Sequence, residues 1–535
     1  MVELRARAWV LDDNPEFPEA ELPSLRRRAN VGLCLSGGGT RSFCASIGYL
    51  RALHALGLLD RVRYIAGVSG GSWATVPYSF WQRGPVDDAA LLGPIVGPKH
   101  LREDMLEREL ETTELAACAT GDFRKALFDE LLDEGPGAAW VGAVGEIFLA
   151  PFGLYDRTRA RSYSLDQESR SAILARQPAG AGLSADDFTL LRPNRPFPVI
   201  QSTLMGPPAG GDLRRFDAIS LQFTPLYVGC PANYQVELDY HRDIRLQRNI
   251  GGGLVEPFAF GGPGPLAVGG AVDDFPTAGI EPTGALAFMA GTSSTAYAAA
   301  IQKVPEFQHS SRRVPCARCW PWRTDSGLES ELWEIGDGGL IENYGLLPLL
   351  QRGIDTAIVC INTVTPLDLE YVPGQGSSKD RVDTYLPPLF GIGVEQDGLV
   401  LGRNQVFPTE EFAELVAALQ AAKRAGDPLV VVREHQLLDN AWWRIRGGRK
   451  LRVAWVYLDR AARFEAELPD DTARAIRAGH RWPRIGPCQR FPNYDTIDQN
   501  FLELVQLTPY QIRLLTQFCS WVVLERRDVL GELMG

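Results

Sequence analysis

No window of the 535 residues approaches the ~18 uncharged apolar residues that a membrane-spanning helix needs. The closest, "PGAAWVGAVGEIFLAPFGLY" from Pro136 to Tyr155, carries Glu146 at its middle and several glycines. The opening residues, "MVELRARAWVLDDNPEF", have no apolar run of the kind a cleaved signal peptide requires. Positive charge is also in deficit. The formal net charge of -12 argues against nucleic acid as a partner and against a broad polybasic hold on anionic lipid. The nine cysteines are scattered and odd in number, so no disulfide framework is expected. These absences point to a reduced cytoplasmic setting with peripheral membrane contact at most. Export without a cleavable signal would leave the same marks.

What remains is an ordinary globular composition, 45% hydrophobic and 22% charged, enough to bury a sizeable core. "VGLCLS" (Val31 to Ser36) reads as a short buried strand stopped by three glycines, and "SFCASIGYLRALHAL" (Ser42 to Leu56) has helical spacing before Gly57. "VRYIAGV" (Val62 to Val68) is a second strand, with a helix expected from about Gly70. This rhythm predicts an α/β fold: a central, mostly parallel sheet flanked by helices.

Residues 1–30 read as an irregular leader, and 31–535 as a single catalytic domain interrupted twice. The first interruption, at about 85–190, is expected to be a helical cap insertion. The second, at about 375–460, is expected to be a further insertion or lid region, with one clear helix in "TEEFAELVAALQAAKRAG". "FPVIQSTLMG" and "LQFTPLYVG" read as strands, Gly251–Gly253 and Gly261–Gly264 as glycine-rich loops, and "AWWRIRGGRKLRVAWVYLD" as a hairpin turning at Gly447–Gly448. A closing helix should start at Thr508, its N-cap, with Pro509 in the first turn.

The stretch "YIAGVSGGSW" places Ser69 where an apolar strand gives way to a helix, with Gly67, Gly70 and Gly71 around it. That is the pattern of a nucleophile elbow, in which a very tight turn projects the serine hydroxyl. The bland alternative is a glycine turn.

A nucleophilic serine needs a base. The six histidines are His54, His100, His241, His309, His435 and His480, and none sits at a strand end beside a glycine-rich turn. His435 or His480 would still complete a Ser…Asp…His order, so a triad esterase acting on neutral esters stays open. A carboxylate is the other choice. "EIGDGGLIENYGL" sets Asp337 after a short apolar strand and before Gly338 and Gly339, a setting that mirrors that of Ser69. An aspartate held dry against a serine hydroxyl can serve as its base.

The third motif is Gly37-Gly38-Gly39-Thr40-Arg41 at the first strand–helix junction. Successive glycines free backbone N–H groups to line an anion site at a helix start, as an oxyanion hole requires. Arg41, close behind, can hold a phosphate in bidentate fashion. A nucleotide loop is disfavoured, because no Lys-Ser/Thr pair follows and Ser42 stands where G-x-G-x-x-G needs its third glycine. Cys316-x-x-Cys319 has no second pair, so a surface loop is expected there rather than a metal site.

Together the three motifs resemble the patatin-like lipid acyl hydrolases, in the branch of the cytosolic phospholipase A2 catalytic domain and related lysophospholipases. "SGGGTRSFCASIGYLRALHALGLLDRVRYIAGVSGGSW" is similar to that branch almost throughout, as are "FTPLYVG", "GGGLVEPFAFGG", "AGTSSTAY" and "DGGLIENYGLLPLLQRGID", in the same order. Specific similarity covers about residues 31–365.

The resemblance implies a Ser69–Asp337 dyad, oxyanion N–H groups from Gly38 and Gly39 with Gly70, and Arg41 meeting the substrate phosphate. It implies hydrolysis of acyl esters of glycerophospholipids or lysophospholipids, with no metal, organic cofactor or nucleotide. A catalytically silent lipid-binding scaffold and a transacylase are the alternatives on the same residues. The animal enzymes carry an N-terminal calcium-dependent targeting module, and with some thirty residues before Val31 calcium-driven translocation is expected to be absent.

Overall fold

The structure, a computed structural model, describes residues 4–11, 16–81, 87–131, 136–207, 211–213, 218–240, 244–262, 272–277, 282–296, 314–319, 330–393, 401–481, 486–495 and 506–535. Among these, one large mixed sheet organises the chain.

Its centre is five parallel strands in the order Phe197–Gly206, Val62–Val68, Val31–Leu35, Thr356–Ile361, Lys450–Tyr457. All five residues of Val31–Leu35 are buried, as a strand with helices on both faces requires. Successive side chains divide between two cores. Leu33, Leu35 and Ile65 join one with the helices Gly39–Ala55, Gly70–Phe80 and Pro509–Glu525, while Cys34, Tyr64 and Ala66 join the other with Leu346–Gln351 and Glu411–Arg424. The closing helix keeps the expected cap, with Thr508 and Gln511 bonding reciprocally. It packs along Gly39–Ala55, where Ser520 Oγ donates to the Gly48 carbonyl at 2.9 Å.

The wings are antiparallel. Beyond Phe197–Gly206 come Ile219–Phe223, Val228–Tyr240, Ile244–Val255, Leu4–Val10 and Val272–Thr277, and on the other side Val430–Gln436 closes the sheet against Lys450–Tyr457.

Several local expectations change. Leu4–Val10 is no irregular leader: it is a strand, its first residues alternately buried and exposed, and it pairs on both sides. "LQFTPLYVG" is two strands joined by a turn in which Thr224 Oγ1 donates to the Tyr227 carbonyl at 2.8 Å. Gly251–Gly253 lies inside a strand, at a register shift, rather than in a loop. The basic hairpin pairs Lys450–Tyr457 with Val430–Gln436, not with the residues just before Gly447, so much of 375–460 extends the main sheet. Cys316–Cys319 is a strand beside Glu331–Asp337. The end of the second glycine-rich loop, Pro263 and Gly264, lies outside the described residues.

Within the expected cap insertion, residues 103–131 form short helical pieces, Glu103–Leu106, Leu115–Thr120 and Phe123–Leu131. The apolar stretch after them packs into the core. Trp140, Phe148, Leu149 and Phe152 are buried, and Phe148 stacks on Trp73 with centroids 4.3 Å apart. Among the described residues no helix is long and apolar enough to cross a membrane.

Candidate active site

One long strand assembles the site. Phe197–Gly206 carries two partners in succession along the same edge. Val62–Val68 runs parallel to its first half, ending with Val68 opposite Gln201. Glu331–Asp337 runs antiparallel to its second half, ending with Asp337 opposite Ser202. The two shorter strands therefore meet tip to tip, and the residues at the tips face each other. The sequence suggested neighbouring strand ends. The structure makes them abutting ends on a shared neighbour.

Ser69 stands on the first tip with φ 51° and ψ -124°, a conformation costly for a residue with a Cβ. Its N–H is held by Ser293, donating to the carbonyl at 3.1 Å and to Oγ at 3.0 Å. Ser293 Oγ in turn donates to the Gln201 carbonyl at 2.6 Å. The helix Gly70–Phe80 starts immediately after, and Gly70 rests directly on the backbone of Gly39. A Cβ there would collide with the Gly39 carbonyl oxygen, so only glycine fits. Because Gly39 opens its own helix, two helix N-termini converge at Ser69.

Ser69 Oγ donates to Asp337 Oδ2 at 2.9 Å, and both residues are buried, 8% and 5% exposed. Oδ1 of Asp337 accepts from the Gly339 N–H at 2.7 Å. Burial raises the Asp337 carboxyl to about 7, against the opposing pull of the Gly339 and Ser69 hydrogen bonds. A carboxylate poised there can take a proton from the hydroxyl near neutral pH.

Gly38 has φ 136°, which lets the glycine loop turn into the helix behind it. Arg41 is buried at 6% exposure, its Nε donating to the Asn362 carbonyl at 3.0 Å and Nη1 to the Tyr494 carbonyl at 2.5 Å. Its Nη2 lies against Gly38, at 2.7 Å from where a Cβ would be. Burial lowers its pKa to about 10. Two nitrogens of this arginine thus hold the fold, and the third is turned toward the glycine loop.

The two histidines of the triad alternative, His435 and His480, make other contacts. His435 is 1% exposed on the edge strand Val430–Gln436, four strands from Val62–Val68. Its Nε2 accepts from Trp455 Nε1 at 3.0 Å, so Nδ1 carries the proton it shares with Glu411 Oε2 at 2.6 Å. His480 Nε2 contacts the Phe491 carbonyl at 2.7 Å, and His241 and His309 lie outside the described residues.

Several participants were not legible beforehand. Ser293 and Gln201 position the turn. Tyr385 is close enough to Asp337 for that charge to help burial push its phenol up. Asp383 accepts from the Tyr344 hydroxyl and sits within electrostatic reach of Arg41. Two stretches already singled out contain two of them, Ser293 in "AGTSSTAY" and Gln201 in "FPVIQSTLMG", without marking either residue.

Residues 33–192, under a third of the chain, match the family model of the patatin-like phospholipases. The chain is 35% identical over 114 residues to human cytosolic phospholipase A2 delta, covering 21% of this chain and 12% of that protein. It is 48% identical over 66 residues to human cytosolic phospholipase A2 zeta, 12% of this chain and 7% of the other. It is 59% identical over 39 residues to mouse cytosolic phospholipase A2 gamma, 7% and 6% respectively. Within the class the resemblance is therefore to the cytosolic phospholipase A2 type, as the motifs implied. A solved structure of human GIVD cytosolic phospholipase A2 aligns with 97% of this chain and 63% of its own, at 13% identity and a TM-score of 0.47. This chain thus spans under two thirds of that protein.

Proposed function

We propose that this protein is a serine lipid acyl hydrolase that cleaves fatty-acyl esters of glycerophospholipids or lysophospholipids, with 31–535 acting as its catalytic domain. The observation that carries the reading is the buried 2.9 Å hydrogen bond from Ser69 to Asp337 on two abutting strand tips. The names of the three relatives described above, cytosolic phospholipases A2, supply the substrate class.

In this reading Asp337 takes the hydroxyl proton as Ser69 Oγ attacks the ester carbonyl. The tetrahedral oxyanion is stabilised by N–H groups of Gly38, Gly39 and Gly70, backed by the two helix starts. Collapse breaks the ester C–O bond, and the leaving alkoxide takes its proton from Asp337. Water, deprotonated by Asp337, then attacks the acyl-serine; the bond from the acyl carbon to Ser69 Oγ breaks, Oγ takes the proton back from Asp337, and the fatty acid leaves. Arg41 offers its remaining guanidinium edge to the substrate phosphate. The chain works in the cytoplasm in transient contact with a membrane surface.

Labelling by a fluorophosphonate probe tests the reading. Wild type should label at Ser69 and release fatty acid from phospholipid, while Ser69→Ala should do neither. A labelled protein without hydrolysis would point to transfer of the acyl group to another alcohol. An unlabelled wild type would make the fold a silent lipid-binding scaffold.

A further inference from the structure

At the end of the sheet opposite Ser69 lies a cavity of about 1020 Å³. It opens where Val62–Val68 and Phe197–Gly206 begin, roughly 20 Å from their catalytic ends at ~3.3 Å per residue. In a protein of net charge -12, this cavity gathers four arginines: Arg27, Arg28, Arg192 and Arg195. They come from two short runs, "RRR" before the first central strand and "RPNR" before Phe197, which the catalytic reading does not use.

The positive charge is incompletely answered. Arg195 is spoken for, bonding Asp88 through both terminal nitrogens and the Tyr78 carbonyl through Nε at 2.8 Å. Arg192 reaches that same Asp88 through its buried Nη1, at 3.4 Å but without hydrogen-bond geometry, and its guanidinium lies over the Trp81 ring, 5.6 Å from the centroid. Arg28 spends its nitrogens on the carbonyls of Leu59, Val62 and Asn194. Arg27 is exposed. Of the carboxylates on the wall, Asp166 is committed to capping the helix Gln167–Ala175, accepting from Ser169 N–H at 2.8 Å, and Asp60 is exposed. Burial, and after it the charge of Arg195, both weigh against the charged form of Arg192. The lining also holds apolar residues: Leu25, Trp81, Leu165 and Phe197 are buried beneath it, and Leu190 and Leu191 are half-buried.

We propose that this cavity is a second ligand site, taking a phosphate-bearing amphiphile whose anionic group pairs with Arg27 and Arg192 and whose apolar part lies along Leu190 and Leu191. Guanidinium forks favour phosphate geometrically, and burial strengthens each contact. The volume exceeds what an inorganic anion fills, which is why the occupant carries an apolar portion. Such chemistry is found in a lipid headgroup within a bilayer and in a free organic phosphate. The site is independent of the Ser69 chemistry and stands or falls separately.

The test is calorimetric titration of the full chain with inorganic pyrophosphate, alongside co-sedimentation with phosphatidylcholine vesicles with and without phosphatidic acid. Wild type should bind pyrophosphate saturably, and Arg27→Gln/Arg192→Gln should weaken it at least ~10-fold. Arg27→Gln alone, at an exposed position, should weaken it in part and guards against a folding defect. Pyrophosphate that displaces the protein from phosphatidic acid vesicles assigns the occupant to a bilayer. Pyrophosphate binding without vesicle binding assigns it to a soluble phosphate. No pyrophosphate binding by wild type, or equal binding by the variants, overturns the site.

Discussion

Ser69 Oγ and Asp337 Oδ2 lie 2.9 Å apart although 268 residues separate them along the chain. The long strand Phe197–Gly206 makes this possible, because it pairs with Val68 at Gln201 and with Asp337 at Ser202. Backbone hydrogen bonds on both sides fix the tips, so neither side chain has to search for the other.

The first prediction concerns the pair itself. Asp337→Asn keeps the volume and can still accept from Gly339, yet it cannot take a proton. Hydrolysis of phospholipid should fall by about 10³-fold or more, as should that of Ser69→Ala, and the double variant should be no worse than either. Steady-state rates of the three variants check this. Additive losses would mean that the two residues do not act as a unit.

Acidity gives a second prediction, with opposite signs for activity and stability. Asp337 must be ionised to act as base, so kcat/KM should climb as pH rises through about 7. The same raised pKa means that the folded state holds this proton more tightly than the unfolded chain does. Stability from this group is therefore full below the ordinary carboxylate range and is lost as pH rises through about 7. Asp337→Asn should consequently be more stable than wild type at pH 8, by on the order of 1–4 kcal/mol, with the advantage gone near pH 4. Thermal unfolding at the two pH values reads it.

Arg41 should show two roles at once. Arg41→Ala leaves the buried carbonyls of Asn362 and Tyr494 without their donors, costing about 1–3 kcal/mol of stability. If Nη2 also meets substrate phosphate, kcat/KM should drop about tenfold further on phospholipid than on a neutral acyl ester. Equal losses on both substrates would leave only the structural role.

Ser293 holds the strained turn from behind. Ser293→Ala removes one of two acceptors for the Ser69 N–H and the bond to Gln201. We expect kcat to fall roughly 10-fold with KM little changed, since geometry suffers before binding does. A rise in KM with kcat unchanged would argue for a role in the substrate cleft.

His435 separates the dyad from a triad. His435→Ala should leave the specific activity of folded protein unchanged. It should also lower the unfolding temperature, because a buried imidazole bridging Glu411 and Trp455 is lost. Loss of activity in a well-folded variant would restore the triad.

The local chemistry was legible because it is local. The run from Val31 to Trp73 states its own strand–turn–helix sequence, since buried strands read as apolar runs and the turns at 37–39 and 67–71 demand glycine. The capped helix from Thr508 was legible for the same reason. Leu4–Val10 was not, because a short strand carrying two arginines looks like a charged leader until its partners are known. The antiparallel wing suffered likewise: glycines at a register shift inside Ile244–Val255 read as a loop.

By itself, then, the sequence determined the parts: a serine in a turn too tight for most residues, a carboxylate just before a second glycine turn, and a glycine loop at a helix start. Tertiary structure alone decided which acid the serine meets, that Arg41 spends two nitrogens on the fold, and that His435 lies four strands away. The reason is physical. Turn chemistry is set by steric preferences within a few residues, whereas strand register, and the burial that raises Asp337 to about 7, exist only once distant segments have paired.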